Sequence, residues 1–185
     1  MRKIVLGLLM VISFSAYSQE TEFTFNSERG MSDFIVTTVE GKTAPEIYKK
    51  MIHWIKVTYK NPNEVILSTI ENEYLRFEGV SDISTFKCKY QIEISIREGK
   101  YKYDLIGFQV YVGPNQLGVP VGWNDFKSIN FIKNSTKESL ENMYKKDGTY
   151  RAWCKYTPEI PTYFNNLNKS LFESIVSAVK KTDGW

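Results

Sequence analysis

The chain has 185 residues, 24 of them Lys or Arg against 21 Asp or Glu, a formal net charge of +3 and an aromatic fraction of 15%. So slight a charge, with no basic stripe, argues against nucleic acid as a partner. One histidine and two widely separated cysteines exclude the usual ligand spacings of a zinc site. No cofactor constellation stands out.

The N-terminus carries an export signal. Arg2 and Lys3 precede the apolar run 4–14, and Ala16-Tyr17-Ser18 supplies small residues where a signal peptidase cuts. The apolar run is shorter than the roughly 20 residues of a spanning helix, and no later window is apolar enough to serve. Residues 1–18 are therefore expected to be a signal peptide, giving a product without a transmembrane segment in the periplasm, on the cell surface or in the medium. Cleavage removes Arg2 and Lys3 and no acid, which lowers the net charge from +3 to +1. The remaining length suits one domain that buries roughly 70% of its unfolded surface.

Residues 19–32 are polar, with Phe23 and Phe25 interspersed, and read as a flexible lead-in or short edge segment. A single domain is expected over 33–182, starting with a strand at 33–39 (DFIVTTV). Thr43 followed by Glu46 makes a capping box with Pro45 in the first turn, so a helix starts there. Its apolar stripe is Ile47, Met51 and Ile55, with Lys49, Lys50 and Lys56 on the wet side, and Asn61-Pro62-Asn63 stops it.

Strands follow at 65–70 (VILSTI) and 74–80 (YLRFEGV). The strongest pattern in the chain comes next, at 87–112: Cys88, Tyr90, Ile92, Ile94 and Ile96 alternate with polar residues, and a turn at Glu98-Gly99-Lys100 leads into a second arm. The loop is Glu98-Gly99 or Gly99-Lys100, and either choice buries Tyr101, Tyr103 and Leu105. Beyond Leu105 the apolar phase moves to Phe108, Val110 and Val112, which places a bulge near Ile106-Gly107. Residues 113–125 hold too much Gly and Pro for regular structure. They open an elaboration at about 113–157, with a short helix from a second capping box at Ser135 and Glu138 to Asp147-Gly148, then a short strand at 150–155. A last helix runs to about Lys181 through Phe164, Leu167, Leu171, Ile175 and Ala178.

Strand, helix, four antiparallel strands, helix gives an α+β architecture: a curved antiparallel sheet of about five strands, β-α-β-β-β-β-α, with two main helices on one face and a short extra helix. That order is the one found in the TATA-binding-protein-like (TBP-like) fold. The stretch PEIYKKMIHWIKVTYKNPNEVI, with Tyr48 and Trp54, then Gly79 and the Tyr-rich arm from Tyr101, resembles an exported Bacteroidota domain-of-unknown-function family with this fold. The resemblance implies a fold and an address, and it brings no catalytic residues. The chain departs from the family pattern at 71–73, where it lacks the turn glycine.

Candidate chemistry is sparse. His53 lies mid-helix without partners for a nucleophilic triad. Glu71 with Glu73, or Glu93 with Asp104, could work as an acid and base pair; cross-strand charge pairing, with Arg97 reaching Asp104 and lysines serving Glu93, is the plainer account. Cys88 points into the core, and Cys154 follows Trp153, so a disulfide between them and two buried free thiols are both open. Aromatic residues are in excess. Tyr111, Trp123 and Trp153 are the candidates for a binding surface, with the loop around Trp123 as its rim. The reading is a non-catalytic binding or interaction module of the cell envelope, facing a protein, peptide or glycan; the alternative is an envelope hydrolase using acids on the concave sheet face. No cofactor, metal or nucleic-acid partner is expected.

Overall fold

The computed structural model describes residues 20–26, 30–114, 120–125 and 137–177, with the side chains of Asn26, Ser139 and Trp153 excepted. The expected signal peptide at 1–18 lies outside these residues. A small antiparallel ribbon comes first, β1 (Phe25–Asn26) with β2 (Gly30–Met31). The main sheet is built from β3 (Phe34–Thr38), β4 (Ile66–Ile70), β5 (Tyr74–Ile83), β6 (Phe86–Arg97), β7 (Lys100–Val112) and β8 (Gly122–Asp125). Helix α1 (Ala44–Thr58) and a short α2 (Pro62–Val65) separate β3 from β4. After β8 come α3 (Lys137–Glu141), a 3₁₀ turn (Ala152–Cys154) and α4 (Glu159–Val176). All the sheet pairings are antiparallel, in the order β3-β7-β6-β5-β4, with β8 also on β7.

The hairpin fixes the register. Arg97 pairs with Lys100, so Glu98-Gly99 is the loop, and Gly99 takes φ +70°, which glycine adopts without steric cost. Gln91 faces Gly107 whereas Ile92 faces Leu105, which leaves Ile106 as the extra residue of a bulge. The bulge is where the shift in apolar phase placed it. It also divides one edge of β7: β3 occupies the half from Lys100 to Asp104, and β8 the half from Gln109 to Val112.

Helix α1 starts as its sequence dictates. Thr43 Oγ1 accepts from the Glu46 N–H at 3.4 Å, and the Thr43 N–H donates to Glu46 Oε2 at 2.9 Å. A third partner comes from across the fold, because the Ala44 N–H donates to Glu98 Oε1 of the hairpin turn at 3.1 Å. Two of the helix's orphan donors and its positive end are thereby satisfied by carboxylates and a hydroxyl.

Both long helices cover the same side of the sheet. Ile47, Met51, Trp54 and Ile55 of α1, and Ile160, Phe164, Leu171 and Ile175 of α4, share one core with Leu75, Phe77, Tyr90, Ile92, Tyr101, Tyr103 and Leu105 of the strands. Trp54 meets Phe77 at 5.9 Å between ring centroids, and Phe164 meets Tyr90 at 5.3 Å. Gly79 sits opposite Tyr90, and a Cβ there would lie inside 3.0 Å of the tyrosine ring. Glycine lets that ring lie across β5, with its hydroxyl 3.1 Å from both Tyr59 Oη and Tyr163 Oη.

Four expectations are corrected. The lead-in is docked: Phe23 is 2% exposed, its N–H donates to Asn165 Oδ1 at 2.7 Å, and Asn165 Nδ2 donates to its carbonyl at 2.9 Å. The Gly- and Pro-rich stretch, expected to hold no regular structure, contains β8, which brings the main sheet to six strands among the described residues, beside the expected number of about five. Residues 150–155 form no strand. Tyr150 makes one bridge to Tyr144, and Ala152–Cys154 is 3₁₀ helix, closed by the Cys154 N–H to the Arg151 carbonyl. Helix α3 ends at Glu141, and Asp147-Gly148 instead turns the chain back toward Tyr150, with Asp147 Oδ1 accepting from Thr149 and Gly148 at φ +81°. Ser135 of the second capping box and Ala178 to Lys181 fall outside the described residues. At the turn where the family pattern has glycine, Asn72 adopts φ +65°, a conformation asparagine tolerates better than most side chains.

Candidate functional site

With both helices on one side, the other side of the main sheet is open, and strand parity decides what it carries. Tyr74, Arg76, Glu78 and Val80 come from β5, Lys89, Gln91 and Glu93 from β6, and Lys102, Asp104, Gln109 and Tyr111 from β7. Across β7, Phe34 lies opposite Asp104, and Trp123 and Asp125 of β8 lie opposite Tyr111 and Gln109.

One half of this face is neutralised internally. Glu93 accepts from the Tyr74 hydroxyl at 2.7 Å and from Arg76 Nε at 2.9 Å, with Arg76 Nη2 closing the ion pair. The Tyr74 hydroxyl, followed by Arg76, holds the Glu93 carboxyl below the usual carboxylate range. A general acid needs the opposite shift. Asp104 sits opposite Glu93 and pairs with Lys102 at 3.4 Å, while the Lys102 ammonium lies 4.7 Å from the Phe34 ring centroid. One expected partner is corrected: Arg97 stands four residues along the strand from the position facing Asp104, too far to reach it, while Glu93 takes Arg76 of β5 as its ion-pair partner with the charge of Lys102 on β7 adding to the attraction.

The other half holds a concavity. Gly107 has no side chain, and beside it lies a dent of about 260 Å³ lined by Glu78, Lys89, Gln91, Gln109 and Asp125. A polar pair stands on either side: Gln91 Nε2 donates to Glu78 Oε2 at 3.0 Å, and Gln109 Nε2 donates to Asp125 Oδ1 at 2.9 Å. Next along β7 and β8, Tyr111 (44% exposed) and Trp123 (36% exposed) meet edge to face, 5.4 Å between centroids at 75°. The Lys89 ammonium lies 5.2 Å from the Trp123 ring centroid, a cation–π contact that joins the dent to the aromatic pair.

Two of the three expected aromatic residues are therefore brought together, Tyr111 with Trp123. The third, Trp153, belongs to the 3₁₀ turn after α3, and its side chain is outside the described residues. Glu78, Gln91, Gln109 and Asp125 did not stand out in the sequence. Parity from the hairpin could have found Gln91 and Gln109, but Asp125 needed the unforeseen strand β8.

Cys88 and Cys154 both line a small apolar pocket of about 90 Å³ on the helix side, with Phe86, Phe108, Tyr156 and Ile160. Both are free thiols: Cys88 Sγ donates to the Phe86 carbonyl at 3.3 Å and Cys154 Sγ to the Met143 carbonyl at 3.1 Å. Burial pushes the Cys88 thiol up to about 11 and raises Cys154 as well, so neither is a ready nucleophile at neutral pH. His53 is exposed on α1, in the helix layer and away from the open face. Among the described residues no group of His, Cys, Asp and Glu is arranged to hold a metal ion, and no helix is long and apolar enough to cross a membrane.

No protein-family model matches the chain, and no curated protein does. Two solved structures share its architecture. A DUF4468 family protein from Bacteroides ovatus aligns with a TM-score of 0.56 at 11% identity, over 87% of this chain and 94% of that one. A TBP-like protein from Parabacteroides distasonis aligns with a TM-score of 0.51 at 15% identity, over 78% and 92% respectively. At such identities the likeness speaks for the fold, and the fold is the TBP-like one that the order of elements led us to expect: a curved antiparallel sheet backed on one side by two long helices.

Proposed function

We propose that the protein is an exported, non-catalytic binding module of the cell envelope, and that its ligand or partner meets the open face of the sheet at the Gly107 dent and the Tyr111–Trp123 pair. The observation that supports this reading is the contrast between the two halves of that face. Around Glu93 each acid is ion-paired with a base, Glu93 with Arg76 and Asp104 with Lys102, whereas around Gly107 two acids have amides as their side-chain partners among the described residues, beside exposed aromatic surface. Concave sites with aromatic walls and a few fixed polar groups are where ligands bind. Fold likeness alone would not carry the assignment. The address rests on the leader-like residues 1–18.

The test uses immobilised mature protein and solubilised envelope fractions of the source cells. The Tyr111→Ala/Trp123→Ala double variant should lose retention of envelope material with its melting temperature unchanged, while Lys49→Ala on the helix side should retain it as the wild type does. Equal retention by all three proteins would remove the open face from the proposal. Mass spectrometry of the mature N-terminus checks the export step, with Gln19 expected as the first residue.

A further inference from the structure

We infer that the Gly107 dent, with Tyr111 and Trp123 at its rim, is a site for a neutral saccharide chain. The inference rests on the reading of the open face as a binding surface and names the chemistry of what binds there.

The polar groups suit hydroxyls. When Gln91 donates one N–H to Glu78, and Gln109 one to Asp125, each amide keeps a second N–H and its carbonyl oxygen, and each carboxylate keeps free lone pairs. Each wall of the dent thus offers donors and acceptors side by side, in planar groups already oriented by an internal bond. A sugar hydroxyl donates and accepts at once, so neighbouring hydroxyls on a ring can be met in pairs. Polar groups locked before the ligand arrives lose little entropy on binding.

The aromatic pair suits the other surface of a sugar. Pyranose rings carry axial C–H bonds on their faces, and Tyr111 and Trp123 offer flat apolar area with a polar tip at little entropic cost. From Gly107 to Tyr111 the face runs about 13 Å at the usual rise per residue. That is a track, with polar walls at one end and aromatic rings at the other, and it fits several units of a chain better than one small molecule.

Charge sets the class. Glu78 and Asp125 form no ion pair with a described residue, and the Lys89 ammonium is engaged by the Trp123 ring. Two carboxylates against one ammonium leave the dent net negative, which repels polyanions approaching within about 8–10 Å at ordinary salt. An extended peptide is the poorer fit. Strand addition uses a sheet edge, and on β7, the strand nearest the dent, β6 holds one side while β3 and β8 hold much of the other. The dent's polar walls offer no apolar pocket for alternate side chains.

Affinity electrophoresis of the mature protein tests this, in native gels cast with soluble β-glucan, mannan, galactan or xylan, and with polygalacturonate as the charged comparison. The expected result is retardation that grows with the concentration of at least one neutral polysaccharide. Trp123→Ala, and separately Gly107→Gln, which fills the dent at a position with ordinary backbone geometry, should abolish it at unchanged melting temperature. No retardation by any neutral polymer, equal retardation by polygalacturonate, or wild-type retardation of both variants would overturn the inference. Should neutral polymers fail while the aromatic double variant still loses envelope material, the saccharide assignment falls and the broader binding role stands.

Discussion

Replacing Gly79 by alanine tests how the core is built under the open sheet. The new Cβ would fall inside 3.0 Å of the Tyr90 ring, and that ring cannot step aside freely: it is 2% exposed, packed 5.3 Å from Phe164, and bonded through its hydroxyl to Tyr59 and Tyr163. Overpacking of this kind costs about 1–3 kcal/mol. Displacing the hydroxyl strains two partly buried hydrogen bonds, each worth about 1 kcal/mol. A loss of about 3 kcal/mol is expected, lowering the melting temperature by roughly 6–12 °C for a chain of this size. Urea denaturation followed by tryptophan fluorescence measures it. The same substitution beside Tyr90→Leu, where the ring is gone, should cost less than about 1 kcal/mol, so the pair couples by at least about 2 kcal/mol. An equal cost in both backgrounds would refute the contact as the cause.

Three further outcomes follow from particular contacts. Phe23→Ala should destabilise by about 3 kcal/mol, as for other buried aromatic residues, and trimming the chain to begin at residue 33 should cost at least as much in urea titrations. Because Glu93 is held below its unfolded value, its contribution is present above the unfolded pKa of about 4.3 and lost as pH falls through the lower folded value; melting temperatures of Glu93→Gln from pH 7 to pH 3 should fall less steeply than those of the wild type. An aromatic disulfide reagent should count two thiols in guanidinium and react slowly in native buffer, in keeping with buried Cys88 and Cys154; a count of zero would show the pair oxidised.

What could be read beforehand was local. Thr43, Pro45 and Glu46 are neighbours in sequence, so their capping geometry needs nothing from the rest of the fold, and the parity of the hairpin follows from a two-residue turn. The bulge was visible because an extra residue resets the apolar phase on one strand. What escaped depended on distant partners. Phe23 sits in a polar stretch with no periodicity, and its burial is arranged by Asn165, 142 residues away. Helix α4 was expected to bury Leu167, which is only partly buried, whereas Asn168 goes inside, accepting from the Tyr101 hydroxyl at 2.8 Å and donating to Thr37 Oγ1 at 3.0 Å. A buried asparagine satisfied on both sides has no signature in a pattern of apolar spacing. Strand β8 was hidden because Gly122, at φ +122°, and Pro120 look like loop chemistry, while the pairing that makes a strand of Gly122–Asp125 is supplied by β7. The candidate site was half legible for the same reason: Tyr111 and Trp123 announce themselves by type, but the dent beside them is made by a missing side chain at Gly107 and by polar residues that look ordinary until parity places them together.

Hydroxyl-radical footprinting of the protein, alone and with the envelope fraction that it retains, puts the central claim to the most direct test. Tyr111 and Trp123 should be oxidised readily in the free protein and protected in the complex, while His53, exposed on α1 in the helix layer, should be oxidised equally in both. Protection of His53 with Tyr111 and Trp123 unchanged would place the contact on the helices and contradict the account.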